Sequence, residues 1–183
     1  MTGGLKLMFI KMGKAYRVVN SLLEFRTNLR DIIFAVIASP LFPVSQRWRI
    51  YRMMGLRIEK CGIAGSCFFG SRRIAIGSGT FVNYQCFFDG SAATTIGKNC
   101  NIGYQVMLAS SSHSQGNSSR RAGQANSKPI VIGDGVWLGA RATIIGGVTV
   151  GRGVVVAAGS VVVRDCDPDT LYAGVPARKI RAL

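Results

Sequence analysis

The chain contains one histidine, His113, and it lies in the polar segment Ser110–Lys128, which reads SSSHSQGNSSRRAGQANSK. A neutral imidazole can accept a proton near pH 7, so His113 is a candidate general base. A lone histidine is more often a structural residue, and the residue type alone leaves both interpretations open. Long polar segments inside compact domains tend to be functional or disordered. The chemistry of His113 therefore depends on the elements that hold this segment.

Those elements follow an unusual period, because aliphatic residues recur every six positions from about residue 58 onward. The clearest run is Ile132, Leu138, Ile144, Val150, Val156 and Val162. Upstream the same spacing occurs in two triplets, Ile76, Val82 and Phe88, then Ile96, Ile102 and Leu108, with two extra residues between the triplets. A six-residue period fits neither an α-helix nor a simple alternating strand. It fits a solenoid in which three short strands form each coil of about 18 residues. We predict a mainly β protein built as a parallel β-helix of hexapeptide repeats.

The polar segment interrupts this repeat without changing its phase. Leu108 and Ile132 are 24 residues apart, which is a multiple of six. The coil is therefore expected to resume in register after a loop at 110–128 is extruded. Within the repeat, Cys86 and Cys100 fall on small inward positions, which favours a packing role for them.

Residues 1–57 carry a different, helical pattern. Apolar residues at i, i+3 and i+4 spacing predict an amphipathic helix, and they are Leu5, Met8, Phe9, Met12, Tyr16, Val19, Leu22 and Leu23. Four cations fall on the opposite face: Lys6, Lys11, Lys14 and Arg17. A second basic and aromatic stretch, Arg47–Arg52, follows Pro43. We predict two parts, an N-terminal helical region over 1–57 and a β-helix domain over 58–183. The helical region is expected to cap the β-helix, alone or together with contact to an anionic membrane surface.

The composition limits the partners. The formal net charge is +15, from 23 basic and 8 acidic residues, which implies a polyanionic partner such as nucleic acid, an anionic membrane or a phosphorylated small molecule. No recognised nucleic-acid motif is present, so nucleic acid is not expected. Five cysteines without a CxxC pair, and one histidine, supply a zinc cage poorly. We therefore expect no metal and buried, reduced cysteines. With no secretory pattern evident, the chain is expected in the cytoplasm, either free there or peripheral at the inner face of the membrane.

Residues 129–183 carry four motifs that together indicate a family: IGDGVWLGA, GVTVG, AAGSVV and AGVPA. At these separations the chain resembles the hexapeptide-repeat acyltransferases, in the branch of the galactoside, maltose and colanic-acid O-acetyltransferases. The resemblance implies a left-handed β-helix, acetyl-CoA as co-substrate, a homotrimer with active sites between subunits, and transfer to a hydroxyl of a sugar or surface-glycan intermediate. The high positive charge adds the expectation of an anionic or lipid-linked acceptor.

The resemblance also assigns residues. His113 lies sixteen residues before Pro129, as in the galactoside enzyme, which makes it the expected general base. Asn83, Phe81 and Asp89 match or lie near the acceptor-binding positions. The matches to coenzyme-A positions are Ala140, Ala158, Val163, Arg164, Arg178 and Arg181. A threonine is common in the family at Val163, so only the backbone could bind there.

Other functions fit the sequence less well. N-acetylation of an amino sugar or xenobiotic on the same scaffold stays the alternative, because the overall fold does not separate the two. A γ-type carbonic anhydrase needs three histidine ligands, and this chain has one. A non-catalytic solenoid of the ice-binding kind would need regular threonine ladders, which the coils lack.

Overall fold

The computed structural model describes residues 29, 32–39 and 42–183. The chain divides into two compact units between Val36 and Ile37. Residues 32–38 are helical, and helix α1 spans Arg47–Met53. The predicted amphipathic helix over 5–23, with its four cations, lies outside the described residues. None of the helices in the described part of the chain is long and apolar enough to cross a bilayer.

The second unit is dominated by three parallel sheets, which the chain visits in turn. Sheet A contains β1 (Arg57–Ile58), β4 (Ile74–Ile76), β7 (Thr94–Ile96), β12 (Ile130–Ile132) and β15 (Thr149–Val150). Sheet B contains β2 (Gly62–Ile63), β5 (Phe81–Val82), β8 (Asn101–Ile102), β13 (Trp137–Leu138), β16 (Val155–Val156), β18 (Thr170–Gly174) and β19 (Ala177–Ala182). Sheet C contains β3 (Phe68–Phe69), β6 (Phe87–Phe88), β9 (Met107–Ala109), β14 (Thr143–Ile145) and β17 (Val161–Val162). Strands β18 and β19 form an antiparallel hairpin at the C-terminal end of sheet B.

The aliphatic residues of the six-residue repeat form the core. In sheet A, Ile76 pairs with Ile96, which pairs in turn with Ile132, and each is at most 1% exposed. Corresponding columns run through the other two sheets, so every coil contributes one large apolar side chain per face. Full burial of such a side chain stabilises the fold by about 1.5–3 kcal/mol. The predicted parallel β-helix of hexapeptide repeats is confirmed.

The extruded segment interrupts the core without shifting its register. β9 ends at Ala109 and β12 begins at Ile130, and beyond the loop Ile144 still pairs with Leu108. The segment contains its own antiparallel hairpin, of β10 (His113–Gln115) and β11 (Ala122–Ala125). The loop therefore leaves the solenoid at the edge between sheets C and A.

Arg47 at the start of α1 connects the first coils to the chain before them. It belongs to the basic stretch after Pro43, yet it is only 2% exposed. Its guanidinium donates to the carbonyl oxygens of Ile37 (2.9 Å), Ser39 (2.7 Å) and Ile63 (2.9 Å). The planar fork of arginine suits three acceptors at once. Arg47 therefore fixes residues 37–39 against strand β2.

Candidate active site

His113 lies on the hairpin of the extruded loop, and its side chain is exposed. It is the cross-strand partner of Ala125. Backbone hydrogen bonds from Gly116 to Arg121 (2.9 Å) and from Asn126 to Ser112 (2.8 Å) close the hairpin on either side of this pair. The hairpin holds the backbone of His113, while the imidazole stays open to an incoming substrate.

Asp89, at the end of β6, fixes the root of this loop. Its carboxylate accepts hydrogen bonds from the hydroxyl of Ser110 (2.6 Å) and the backbone N–H groups of Ser111 (2.7 Å) and Ser91. Partial burial raises the pKa of Asp89, but the hydrogen bonds from these serines outweigh it and hold the pKa well below its usual range. Asp89 is therefore an ionised anchor for the loop.

A groove of about 430 Å³ lies on the outer surface of sheet B. Most of its walls are outward-facing residues that alternate with the buried aliphatic ones, together with small or polar residues at the following corner. Ile102 is the one buried aliphatic residue in the lining. The lining residues are Phe81, Asn83, Asn101, Ile102, Gly103 and Trp137. Trp137 is 56% exposed, and its indole N–H can donate to a ligand. The groove thus combines an aromatic surface with amide groups, a combination that suits a small polyhydroxylated molecule.

Asn83 has hydrogen-bonding capacity to spare in this groove. Its side-chain oxygen accepts from the N–H of Tyr84 at 2.9 Å. Its side-chain nitrogen has no partner among the described residues, so two N–H donors can meet a ligand. The two predicted acceptor residues Phe81 and Asn83 are therefore adjacent, whereas Asp89 lies on sheet C and does not line the groove.

The predicted coenzyme residues fall into two groups. Ala140 and Ala158 occupy the corner after sheet B on successive coils, linked by the hydrogen bond from Gly159 N to Ala140 O (2.8 Å). Arg178 pairs with Ala173 in the C-terminal hairpin, and Arg181 pairs with Leu171. Val163 and Arg164 follow β17, at the edge between sheets C and A. One chain thus places four of these six residues on the sheet B side and two elsewhere.

The backbones at the corner after sheet B approach closely. A Cβ at Gly103 would come within 2.7 Å of Ala140 N, and a Cβ at Gly139 within 2.5 Å of Ala158 N. Only glycine fits such contacts. The residues beside the predicted coenzyme positions are therefore small for a structural reason as well.

His113 and the groove lie on different parts of the solenoid. His113 extends from the edge between sheets C and A, whereas Phe81 and Asn83 lie on and beside sheet B. Within one chain these residues do not share a face.

A larger groove of about 720 Å³ runs along sheet A, and both of its carboxylates are already engaged. Glu59 accepts from the N–H of Ser78, and Asp134 accepts from the N–H of Lys98. It holds neither an imidazole nor a free side-chain amide. The smaller groove on sheet B is therefore the better candidate for acceptor binding.

The cysteines offer no alternative nucleophile, because all five are buried. Burial raises the pKa of the Cys61 thiol to about 12 and is the main cause that raises that of Cys166 to about 11. The pKa of Cys67 is lowered, chiefly by a hydrogen bond with Cys86, but its side chain is only 5% exposed. A thiol must be accessible as thiolate to act as a nucleophile. Among the described residues no group of three or more His, Cys, Asp or Glu side chains could hold a metal.

Sequence reasoning assigned neither Asn101 nor Trp137 to a site. Both sit one position before a buried aliphatic residue of the repeat, Ile102 and Leu138, and that position faces outward on every coil. The signal was present in the register. The register does not show which outward-facing residues of separate coils stack into one groove.

Comparison with known proteins places the chain in a family. The family model described as bacterial transferase hexapeptide (six repeats) matches residues 129–164. The galactoside O-acetyltransferase of Escherichia coli is 37% identical over 115 residues, which is 63% of this chain and 56% of that protein. The chain spans only a little over half the length of the first curated relatives that it matches.

Two solved structures extend the similarity over most of the fold. A hexapeptide-repeat-containing acetyltransferase of Vibrio cholerae, complexed with acetyl coenzyme A, is 36% identical with a TM-score of 0.71, covering 82% of this chain and 83% of that one. A maltose O-acetyltransferase of Clostridium difficile is 32% identical with a TM-score of 0.65, covering 75% of each chain. The hexad register, the parallel β-helix and these similarities agree, and the chain belongs to the hexapeptide-repeat acetyltransferase family.

Proposed function

We propose that this protein transfers the acetyl group of acetyl-CoA to a hydroxyl of a sugar or surface-glycan intermediate, with His113 as the general base. The observation that carries the proposal is the single imidazole of the chain, exposed on a hairpin whose root is anchored by Asp89. The relatives named as galactoside and maltose O-acetyltransferases support a sugar hydroxyl as acceptor. The aromatic and amide groups of the sheet B groove support it independently.

The reaction follows from ordinary acid–base chemistry. A sugar hydroxyl is too weak an acid to ionise at pH 7, so the neutral imidazole of His113 accepts its proton as the oxygen attacks the thioester carbonyl carbon. The tetrahedral intermediate carries an oxyanion that needs a hydrogen-bond donor. When the intermediate collapses, the carbon–sulfur bond breaks and the CoA sulfur takes the proton back from the imidazolium. The products are an acetyl ester and free CoA, with no acyl-enzyme.

The residues near the C-terminus suit the phosphates of the co-substrate. Arg178 and Arg181 are exposed, and each uses one terminal nitrogen to donate to a backbone carbonyl oxygen. Their remaining N–H groups are available for charge-assisted bonds to phosphate. Ala140 and Ala158 leave room for the pantetheine arm at the adjacent corner. Arg164 and the backbone of Val163 would complete the site from another edge.

That division of residues supports a trimer with composite sites. The proposed base extends from the edge between sheets C and A, and the groove lies on sheet B, so a ring of three copies can bring the loop of one chain to the groove of the next. The exposed stacked pair Phe68 and Phe87, with ring centroids 4.7 Å apart, gives sheet C an apolar outer surface that such a ring would cover.

The charge of the loop supports an anionic acceptor. Residues 110–128 contain Arg120, Arg121 and Lys128 and no Asp or Glu. Positive potential around a catalytic base raises the local concentration of an anionic substrate. An anionic or lipid-linked glycan fits this loop better than a neutral sugar does.

The test is acetyl-CoA turnover, followed by thiol release, with neutral, anionic, lipid-linked and amino sugars as acceptors. His113→Ala should lower turnover by about 10²–10⁴, with acetyl-CoA affinity by calorimetry nearly unchanged. Gln115→Ala, on the same strand, is the matched control and should stay within a few-fold of wild type. Activity of His113→Ala close to that of wild type would refute the assignment of His113 as the general base. A hydroxylamine-resistant product on an amino sugar would instead favour the N-acetyltransferase alternative.

The composite site has its own test. His113→Ala and Asn83→Ala subunits are unfolded together, refolded as a mixture, and compared with each variant alone. If each site uses the loop of one copy and the groove of another, about a quarter of the sites in random trimers are intact, and activity returns. If the mixture stays as inactive as the two variants, or the protein is an active monomer by light scattering, the composite site is excluded.

A further inference from the structure

Three side chains on successive coils form a hydrogen-bonded ladder at the corner after sheet B. The Nε of Arg141 donates to Gln105 Oε1 at 2.8 Å, and Gln105 Nε2 donates to Gln85 Oε1 at 2.7 Å. All three residues are exposed, and all three have positive φ, of 61°, 57° and 61° from Arg141 to Gln85. Non-glycine residues are uncommon in this left-handed region, where a glycine would be relaxed. The chain thus has three long side chains at positions where the backbone conformation favours glycine.

The ladder ends at Arg141 because the next coil has a glycine in the same column. Gly159 has a φ of 70°, and a Cβ built on it would meet nothing within 4 Å. The corner is therefore open on the C-terminal side of Arg141. This opening lies beside Ala140 and Ala158, whose small side chains do not obstruct the adjacent surface.

The guanidinium of Arg141 is only partly used. Its Nε is bonded to Gln105, whereas the two terminal nitrogens have no hydrogen bond or ion pair within residues 42–183. With the Nε held, the planar group loses rotational freedom, and the terminal nitrogens become a pre-oriented pair of donors. Such a pair matches the two oxygens of a carboxylate or phosphate.

We propose that Arg141, oriented by Gln105, recognises an oxyanion of a substrate bound at the open corner over Gly159. The oxyanion is either a phosphate of the CoA co-substrate or an acidic group of the acceptor, since both present the same planar pair of oxygens. This inference rests on the proposed function, because the corner adjoins the proposed pantetheine contacts Ala140 and Ala158. Arg141 is a substrate-binding residue in this scheme, and Gln105 is a positioning residue.

The experiment separates the two sources of the oxyanion. Binding of CoA and of acetyl-pantetheine, which lacks the phosphates of the nucleotide, is measured by calorimetry for wild type and Arg141→Gln. KM values are measured for acetyl-CoA and for matched acidic and neutral acceptors. Loss of one charge-assisted contact at an exposed site is expected to weaken the relevant affinity about five- to tenfold. A phosphate contact weakens CoA but not acetyl-pantetheine. A contact to the acceptor raises KM for the acidic acceptor alone.

A second pair of variants tests orientation. Gln105→Asn tolerates the positive φ but is too short to hold Arg141, so it should weaken the same ligand by a smaller factor. In the double variant with Arg141→Gln it should cause no further loss of affinity, because both changes remove the same interaction. Arg152→Gln is the control, since Arg152 is an exposed arginine at a different corner, paired with Asp169. Melting temperatures confirm that the variants are folded.

The outcomes are distinct. If wild type binds neither CoA nor acetyl-CoA, the proposed function fails. If wild type binds and turns over, yet Arg141→Gln equals Arg152→Gln for every ligand, the role of Arg141 is refuted and the ladder is only a structural brace. If Arg141→Gln weakens a ligand, Gln105→Asn alone does not weaken it, and the two effects add in the double variant, the positioning role of Gln105 is refuted.

Discussion

The hydroxyl of Ser110 donates to Asp89 Oδ1 at 2.6 Å, which ties the start of the His113 loop to the preceding coil. The same hydroxyl oxygen accepts from Ala92 N at 3.0 Å. Ser110 is fully buried although it belongs to a polar loop. The proposed base, His113, needs a loop with a fixed root to reach its substrate reproducibly, and this contact provides one.

Asp89→Asn should loosen this root. An amide keeps the shape of the side chain, but its nitrogen cannot accept a hydrogen bond from a serine N–H or hydroxyl. We expect a loss of about 1–3 kcal/mol in the free energy of unfolding and a fall in kcat smaller than that of His113→Ala. Urea denaturation and turnover measure the two effects. Asp165→Asn, which also removes one carboxylate that accepts a backbone hydrogen bond, is the control for stability with no expected change in kcat.

The pH dependence of stability gives a second readout of Asp89. Its folded-state pKa is depressed, so its contribution to stability is complete above the ordinary aspartate pKa and is lost as the pH falls toward the folded value. The difference in unfolding free energy between wild type and Asp89→Asn should therefore shrink as the pH is lowered from neutral into the acid range. A difference that does not change with pH would show that the ionised carboxylate is not the stabilising form.

Arg47→Met tests the buried anchor of the first coils. The substitution keeps much of the side-chain volume but leaves the carbonyl oxygens of Ile37, Ser39 and Ile63 without their donor. Unsatisfied buried polar groups are costly, and we expect a loss of about 2–4 kcal/mol in the free energy of unfolding. The control is Arg49→Met in the same helix, where an exposed guanidinium lies over Trp48 at 5.5 Å and a loss of about 0.5–1 kcal/mol is expected. Equal losses in the two variants would contradict the anchoring role.

The repeat made the solenoid predictable, because a period of six specifies which residue of each coil is buried, and Ile96, Ile132 and Ile144 all occupy the expected interior positions. The same arithmetic predicted that the coil resumes in phase after the loop. Two structural features could not be predicted from the repeat. Arg47 looks like a surface cation in the sequence, and its burial depends on three carbonyl oxygens that only the folded chain brings together. The contact of Asp89 with Ser110 joins residues on neighbouring coils and follows no local pattern.

Arg178→Ala and Arg181→Ala should each raise the KM for acetyl-CoA at least tenfold, and more than that for the acceptor. Each arginine supplies N–H groups for charge-assisted bonds to phosphate, worth about 1.5–3 kcal/mol, and neither has an ion pair among the described residues. Lys179→Ala is a matched control between them, because Lys179 is paired with Asp167 at 3.0 Å. Comparing acetyl-CoA with its dephospho form shows which arginine meets which phosphate. Unchanged KM values for the co-substrate in both arginine variants would place the phosphates elsewhere.

The last prediction concerns membrane contact by the N-terminal region. The pattern of residues 5–23 predicts an amphipathic helix, and the described helical residues farther along, Ile32, Ile33 and Val36, are also exposed. An amphipathic helix with cations on one face can lie in the headgroup plane, held by apolar burial and by attraction to anionic lipid. We expect the protein to co-sediment with anionic but not with neutral liposomes at low salt.

Two variants divide the possible mechanisms of this binding. Changing Lys6, Lys11, Lys14 and Arg17 together to Gln should abolish sedimentation with anionic liposomes, because attraction near the surface is worth about 1 kcal/mol per cation. Changing Arg120 and Arg121 to Gln removes charge from the loop at 110–128 and should leave this sedimentation intact. If wild type does not sediment with anionic liposomes, membrane contact is refuted and capping is the only role still predicted for residues 5–23. If binding survives the four changes but not the two, the membrane-facing surface is the loop at 110–128, and the charge of that loop would then serve recruitment to the membrane rather than only attraction of an anionic acceptor.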